Sequence, residues 1–321
     1  MDLRLGLYQL AHEHRLDARG LRQLQHLAGL DDPPAGLPRV MARGVAVLAA
    51  ALAGLGVVFW VAANWNELGR VGHFALLQAF VVAMCLGAAA RPAARAPLSL
   101  LALLGIGALF AYFGQTYQTG ADPWQLFALW AVLALPLALA ARSDVVWAPW
   151  ALVVMTGTAL WVQAHTGHEW RFAPQDTRVH VTGWIVGTVV VIGFAKPLER
   201  VTGAGAWARR TAVTLLVAAV TASAIGTLFG ARLPPPYVMA LVVLAGMAAL
   251  HAWHAAFDVY GLSASAFGLI VLLVAGLVNQ LVLNQGADSV SALFLTGVTA
   301  AGLLAGAVTV ILRIARARGA A

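Results

Sequence analysis

Asn64, Asn66 and Glu67, then Gln115, Tyr117, Gln118 and Asp122, then Asn279, Gln280, Asn284, Gln285 and Asp288 are the side chains of this sequence best suited to hold a ligand. Amides offer paired donors and acceptors without a fixed charge. Beside aromatic rings they suit a neutral polar molecule such as a sugar, or a lipid headgroup. The same residue types also serve as caps, because helix ends need such partners. The candidate ligand-binding set is therefore Asn64, Asn66, Gln115, Tyr117, Asp122, Asn279, Gln280 and Asp288, with capping as the competing role; Asp122, which precedes Pro123, has the sequence of a cap.

Other chemistry is thinly represented. His251 and His254 stand three apart with Asp258 a turn further on, so all three can share a helix face and approach a metal. They supply at most three ligands, lack the second pair of a closed zinc site, and read better as an interfacial helix end. His165, His168 and His180 have no diagnostic spacing. No nucleophile motif, phosphate loop or dinucleotide fingerprint occurs, no catalytic residue is assigned, and no cofactor is expected. Asp, Glu, Lys and Arg are missing from the centres of the apolar runs, where proton relays would sit, which disfavours ion-coupled pumping.

The elements that must position these residues are membrane helices. Of 321 residues 61% are hydrophobic and 10% charged, against about 25% charged in a soluble domain. A soluble enzyme is excluded. Apolar runs of spanning length recur at 44–63, 71–90, 97–113, 124–141, 145–163, 179–195, 211–230, 237–256, 261–283 and 290–312. The expected fold is all-α, a polytopic transmembrane helical bundle of about ten spans over residues 41–321. Ahead of it, residues 1–40 form a short cytosolic helical hairpin: Leu3, Leu7 and Leu10 share one face, and Leu21, Leu24 and Leu27 repeat the pattern after Asp17, a candidate N-cap. Cys85, the lone cysteine, lies in an apolar run and excludes an intramolecular disulfide.

Charge orients the bundle. With the N-terminus inside, cytoplasmic segments hold 16 of the 20 Lys and Arg residues and the opposite loops hold Arg70, Arg171, Arg178 and Arg232. Both termini are expected in the cytoplasm, and the net charge of +7 is a topology signal, not a nucleic-acid footprint. Tryptophans follow the same division, with Trp60, Trp65, Trp124 and Trp161 at outer ends and Trp147, Trp150 and Trp253 at inner ends, as interfacial anchors.

Two outer segments look alike: Gly114–Asp122 with Leu126-Phe127, and Asn279–Asp288 with Leu293-Phe294. As copies they would pair helices one to four with seven to ten in parallel, a known plan for transporters; as mere turns they would reflect only the turn preferences of Gln, Asn, Gly and Asp. GxxxG pairs at Gly183/Gly187, Gly226/Gly230 and Gly302/Gly306 suit close helix packing.

The segment Leu16-Asp17-Ala18-Arg19-Gly20-Leu21, the span ending Ala62-Ala63-Asn64-Trp65-Asn66-Glu67-Leu68, and the loop Gly114-Gln115-Thr116-Tyr117-Gln118-Thr119-Gly120-Ala121-Asp122 resemble the bacterial predicted-membrane-protein family called domain of unknown function 2157. The resemblance covers roughly residues 1–150. It implies an inner-membrane protein and supplies no reaction. The leading functional expectation is binding or transport of a small polar or amphiphilic molecule through an outward-facing cavity. The alternative is a membrane scaffold or accessory subunit. The expected partners are the lipid bilayer, a small polar ligand, and a membrane protein or second copy, with no nucleic acid.

Overall fold

The computed structural model describes residues 7, 10, 12–28, 37–63, 69–117, 120, 122–167, 174–229, 235–253, 257–284 and 289–319. Among these the secondary structure is helical, without strands. The chain divides into two units, Met1–Ala49 and Ala50–Ala321.

In the first unit, α1 (Ala18–Leu27) starts where the side chain of Asp17 accepts the Gly20 N–H at 2.8 Å. Leu21, Leu24, Gln25 and Ala28 make its half-covered face, and Arg19, Arg22 and Gln23 are exposed. The first arm of the expected hairpin falls largely outside the described residues. Helix α2 (Leu37–Ala63) begins in this unit and continues into the second.

The second unit holds α3 (Gly69–Ala90), α4 (Arg95–Tyr117), α5 (Pro123–Ala141), α6 (Asp144–His165), α7 (Thr177–Gly193), α8 (Ala206–Gly226), α9 (Pro235–Ala252), α10 (Val259–Val278) and α11 (Ser289–Gly319). Nine of the described helices, from α2 to α11 with α7 excepted, are long and apolar enough to cross a membrane. Helix α7 reaches spanning length only together with Lys196–Thr202, from which it bends by 55°. The chain is thus a polytopic helical membrane protein with nine to ten candidate spans among the described residues. Helices α5 and α6 are parted by Arg142 and Ser143 alone. Arg142 closes α5 in a left-handed conformation at φ 49°, and the Ser143 hydroxyl accepts the Val145 N–H to start α6.

Hydrocarbon supplies no water to backbone or hydroxyl groups, so each must be satisfied within the chain. Thr158, Thr188 and Ser265 donate to the carbonyls four residues back, Val154, Trp184 and Gly261, each at 2.8 Å. At the centre stands α8, packed against α6, α7, α9 and α10. Its Val213, Leu216 and Val220 meet Leu244 of α9 and Leu272 of α10 in one core. A second core joins α5, α6 and α8 through Ala134, Ala138, Ala151, Ala208 and Ala212, all fully buried. Small side chains there let the helices approach closely, which is where association in lipid gains its contacts. The Gly183/Gly187 pair works the same way: Gly183 faces Val162 and Thr158, and Gly187 faces Leu216 and Met155.

Tryptophan departs from the anchoring expectation at two positions. Trp147 is only 2% exposed, and its indole N–H donates to the Thr202 carbonyl at 2.8 Å, while that of Trp150 donates to Ala131 at 2.8 Å. Their N–H groups find backbone partners within the chain, Thr202 at the helix ends and Ala131 within α5, so neither depends on interfacial water or headgroups. Trp60 and Trp253 remain exposed.

Trp130 of α5 likewise donates to the Leu103 carbonyl at 2.9 Å, with its ring laid over Gly107 of α4. A Cβ at position 107 would overlap that ring. Gly107→Ala should therefore lower stability by about 1–3 kcal/mol, read as a lower Tm by circular dichroism in detergent. Gly56→Ala, with nothing within 4 Å of its Cβ, should leave Tm level or raise it, because Ala is the better helix former.

Candidate functional site

The two ends of the second unit differ in chemistry. One is formed by the C-terminal ends of α4, α6, α8 and α10 and carries the amide and aromatic residues singled out in the sequence. Phe113 and Tyr117 on the last turns of α4 lie 4.8 Å apart between ring centroids, and Phe74 of α3 lies 5.9 Å from Tyr117. Behind them His73 is buried, its Nδ1 3.2 Å from the Tyr112 hydroxyl. Gln115, Tyr117 and Asp122 are all exposed here, so the structure brings these three to one end. Asp122 occupies the N-cap position of α5 with Pro123 at the first helical position, yet its carboxylate makes no capping bond.

Asn279 differs sharply. It is 3% exposed, and its amide donates to the Leu228 carbonyl, tying the end of α10 to the residues that follow α8. From Asn279 to Asn284 the chain is π-helical, a widening found often at functional sites, and Gln280 is exposed. In the matching segment, Gly114–Tyr117 continues α4 as ordinary α-helix, so the two look-alike segments differ locally. Asn64, Asn66, Asp288 and His254 lie outside the described residues. Close by, the Tyr237 hydroxyl donates to the Leu272 carbonyl at 2.6 Å and rests against Gly276, where only glycine leaves it room.

The opposite end gathers Arg142, Arg200, Arg209, Arg210 and Arg318. Its hub is Asp144, whose carboxylate accepts the N–H groups of Gly205 at 2.6 Å, Trp207 at 3.0 Å and Ala208 at 3.3 Å. Helix α8 has no capping side chain of its own; the carboxylate from α6 satisfies its orphan donors and complements the positive end of its dipole. Glycines make the approach possible. Gly203 has φ +67° and packs on the backbone of Arg142, and a Cβ at Gly205 would stand 2.7 Å from the Asp144 carboxylate. The Arg142 guanidinium donates to the Arg200 carbonyl as a further tie.

Beside this hub, Arg209 pairs with Asp258 at 3.7 Å, and Asp258 caps α10 by accepting the Tyr260 N–H at 3.3 Å. His251 is buried against Gly261. Among the described residues no three His, Cys, Asp or Glu side chains converge as metal ligands. Next to Arg209, a groove of about 380 Å³ is lined by Trp207, Arg210, Thr211, Thr214, Leu215 and Tyr260. Neither Asp144 nor this groove stood out in the sequence. The one available signal was Trp207-Ala-Arg-Arg210, an arginine pair beside tryptophan at the start of an apolar run, which topology alone explained.

Asp144→Ala should cost about 1–2 kcal/mol in chemical denaturation and speed hydrogen exchange at the Gly205, Trp207 and Ala208 amides. Asp144→Asn, which keeps one acceptor, should lose less. Unchanged exchange at those amides would mean that the carboxylate does not cap α8.

Neither the curated proteins nor the solved structures searched contain a match to this chain. Residues 8–147 match the model of the family described as Predicted membrane protein (DUF2157), which takes in α1 to α5 and the first residues of α6, and the resemblance carried by the Gly20 segment, the first span and the Gly114–Asp122 loop is thereby borne out.

Proposed function

We propose that this integral membrane protein is a scaffold or accessory subunit that assembles through α11. The supporting observation is that no residue in the apolar window of this 31-residue helix is buried. Its described packing is on α10, along a half-covered stripe at Thr296, Ala300, Leu303, Ala307, Ile311 and Ile314. Gly302 and Gly306 share a different, exposed face, and a Cβ on either would meet nothing within 4 Å. Glycine costs roughly 1 kcal/mol in a helix relative to alanine. At Gly183 and Gly187 internal packing offsets that cost; at Gly302 and Gly306 close approach of another helix would do so. The fitting occupant is the same face of a second copy, because small-xxx-small faces pack against themselves about a two-fold axis.

Transport through a cavity takes second place. It is favoured by Gln115, Tyr117 and Asp122 sharing one exposed end, but Asn279, their proposed counterpart, donates its amide to a carbonyl inside the bundle. Uptake of neutral polar solutes by vesicles holding the purified chain would reverse the order.

In a Cys85→Ala background, Gly302→Cys and Gly306→Cys should give a covalent dimer on mild oxidation in membranes, and Leu303→Cys should not. Gly302→Leu with Gly306→Leu should leave monomers. Monomers throughout would end the scaffold reading. The proposed orientation, with the arginine-rich end in the cytoplasm, follows from the lysine and arginine bias. An impermeant maleimide should label Gly120→Cys and spare Val201→Cys in intact cells; the reverse pattern would invert the topology.

A further inference from the structure

The groove beside α8 has a composition that points to an occupant. Arg210 lies one turn inside a membrane-spanning helix and is half-buried. Its guanidinium carbon stands 5.4 Å from the Trp207 ring and 5.3 Å from the Tyr260 ring, so two aromatic faces hold it along the groove. Among the described residues the ion pair at this end is Arg209–Asp258, and none involves Arg210. A cation at that depth needs an anion or water to offset its desolvation.

The hydroxyls around it do not compete for that anion. Thr211 donates to the Trp207 carbonyl at 2.9 Å and Thr214 to the Arg210 carbonyl at 2.8 Å. With its proton so used, Thr214 accepts from the Tyr260 hydroxyl 2.7 Å away. The groove therefore offers one strong donor group, a planar guanidinium fork suited to two oxygens of a phosphate. Leu215 gives it an apolar wall. Trp207, 68% exposed, sits at its rim as amphipathic rings do at headgroup level.

We propose that this groove holds the phosphate of an anionic phospholipid from the adjacent leaflet, clamped by Arg210 between Trp207 and Tyr260, with an acyl chain against Leu215. A phosphate ion in solution shares the headgroup chemistry but has no use for the apolar wall.

The test uses the full chain purified in detergent, with bound lipid counted by native mass spectrometry. Wild-type protein should retain phosphatidylglycerol in preference to phosphatidylcholine, and millimolar inorganic phosphate should not displace it. Arg210→Gln should weaken phosphatidylglycerol retention by roughly tenfold at an unchanged Tm, while Arg178→Gln, an exposed arginine at the other end, should match wild type. Equal retention by Arg210→Gln, equal loss in Arg178→Gln, or displacement by phosphate would each overturn the proposal. A second readout needs no change at Arg210. Brominated phosphatidylglycerol should quench wild-type tryptophan emission more than that of Trp207→Phe, and brominated phosphatidylcholine should show a smaller difference. The same difference with both lipids would also overturn it.

Discussion

One carboxylate ties α6 to the start of the central helix α8. Helix α8 is the element on which α6, α7, α9 and α10 all pack, and its N-terminus reaches the membrane boundary without a capping side chain of its own. Left open, the first N–H groups of such a helix would carry an unmet cost in a medium with little water. Asp144, some sixty residues earlier in the chain, supplies the missing acceptors. Its position is set in turn by the tight break between α5 and α6 and by glycines at 203 and 205, which admit the Arg142 backbone and the Asp144 carboxylate. The ties from Trp147 to Thr202 and from Arg142 to Arg200 strengthen the same junction. A loop joining two spans thus acts as the socket for a third.

That dependence explains why the spans were readable from sequence and the sites much less so. Apolar runs of membrane length are a property of each segment by itself, and even the break at Arg142-Ser143-Asp144 shows as three polar residues between two such runs. The fate of Asn279 depends on where the Leu228 carbonyl lies, fifty-one residues away in the chain, and nothing local to the amide carries that information. Trp147 has the sequence environment of an interfacial anchor and becomes a core residue because the Thr202 carbonyl is within reach. Arg210 contributed to the charge bias that oriented the bundle; Trp207 is its neighbour on the same helix, but Tyr260 meets it only once α8 and α10 are side by side. Gln115, Tyr117 and Asp122 are close in sequence on one helix end and its successor, so their common location was legible.

Glycine and alanine divide the molecule by use. Gly183 and Gly187 of α7 and Ala208 and Ala212 of α8 lie under neighbouring side chains and set the distances between helices, whereas Gly302 and Gly306 of α11 face outward, with nothing within 4 Å of an added Cβ. The same residue type therefore marks both the finished packing of the interior and a surface whose packing the chain alone does not complete. Charge is partitioned in a parallel way. Asp144 and Asp258 are spent on helix starts, and the arginines around them outnumber those acids, leaving a net positive rim at that end.

Helix α7 has a consequence for the bilayer itself. Its 17 residues before the 55° bend rise roughly 25 Å, short of a hydrocarbon core of about 30 Å. Ile185, Val189 and Ile192 face outward along it, so lipid tails rather than protein meet this short stretch, with Lys196 and Arg200 close below. A bilayer crossed by α7 alone would have to draw together there, and lipids with shorter chains would do so at least elastic cost.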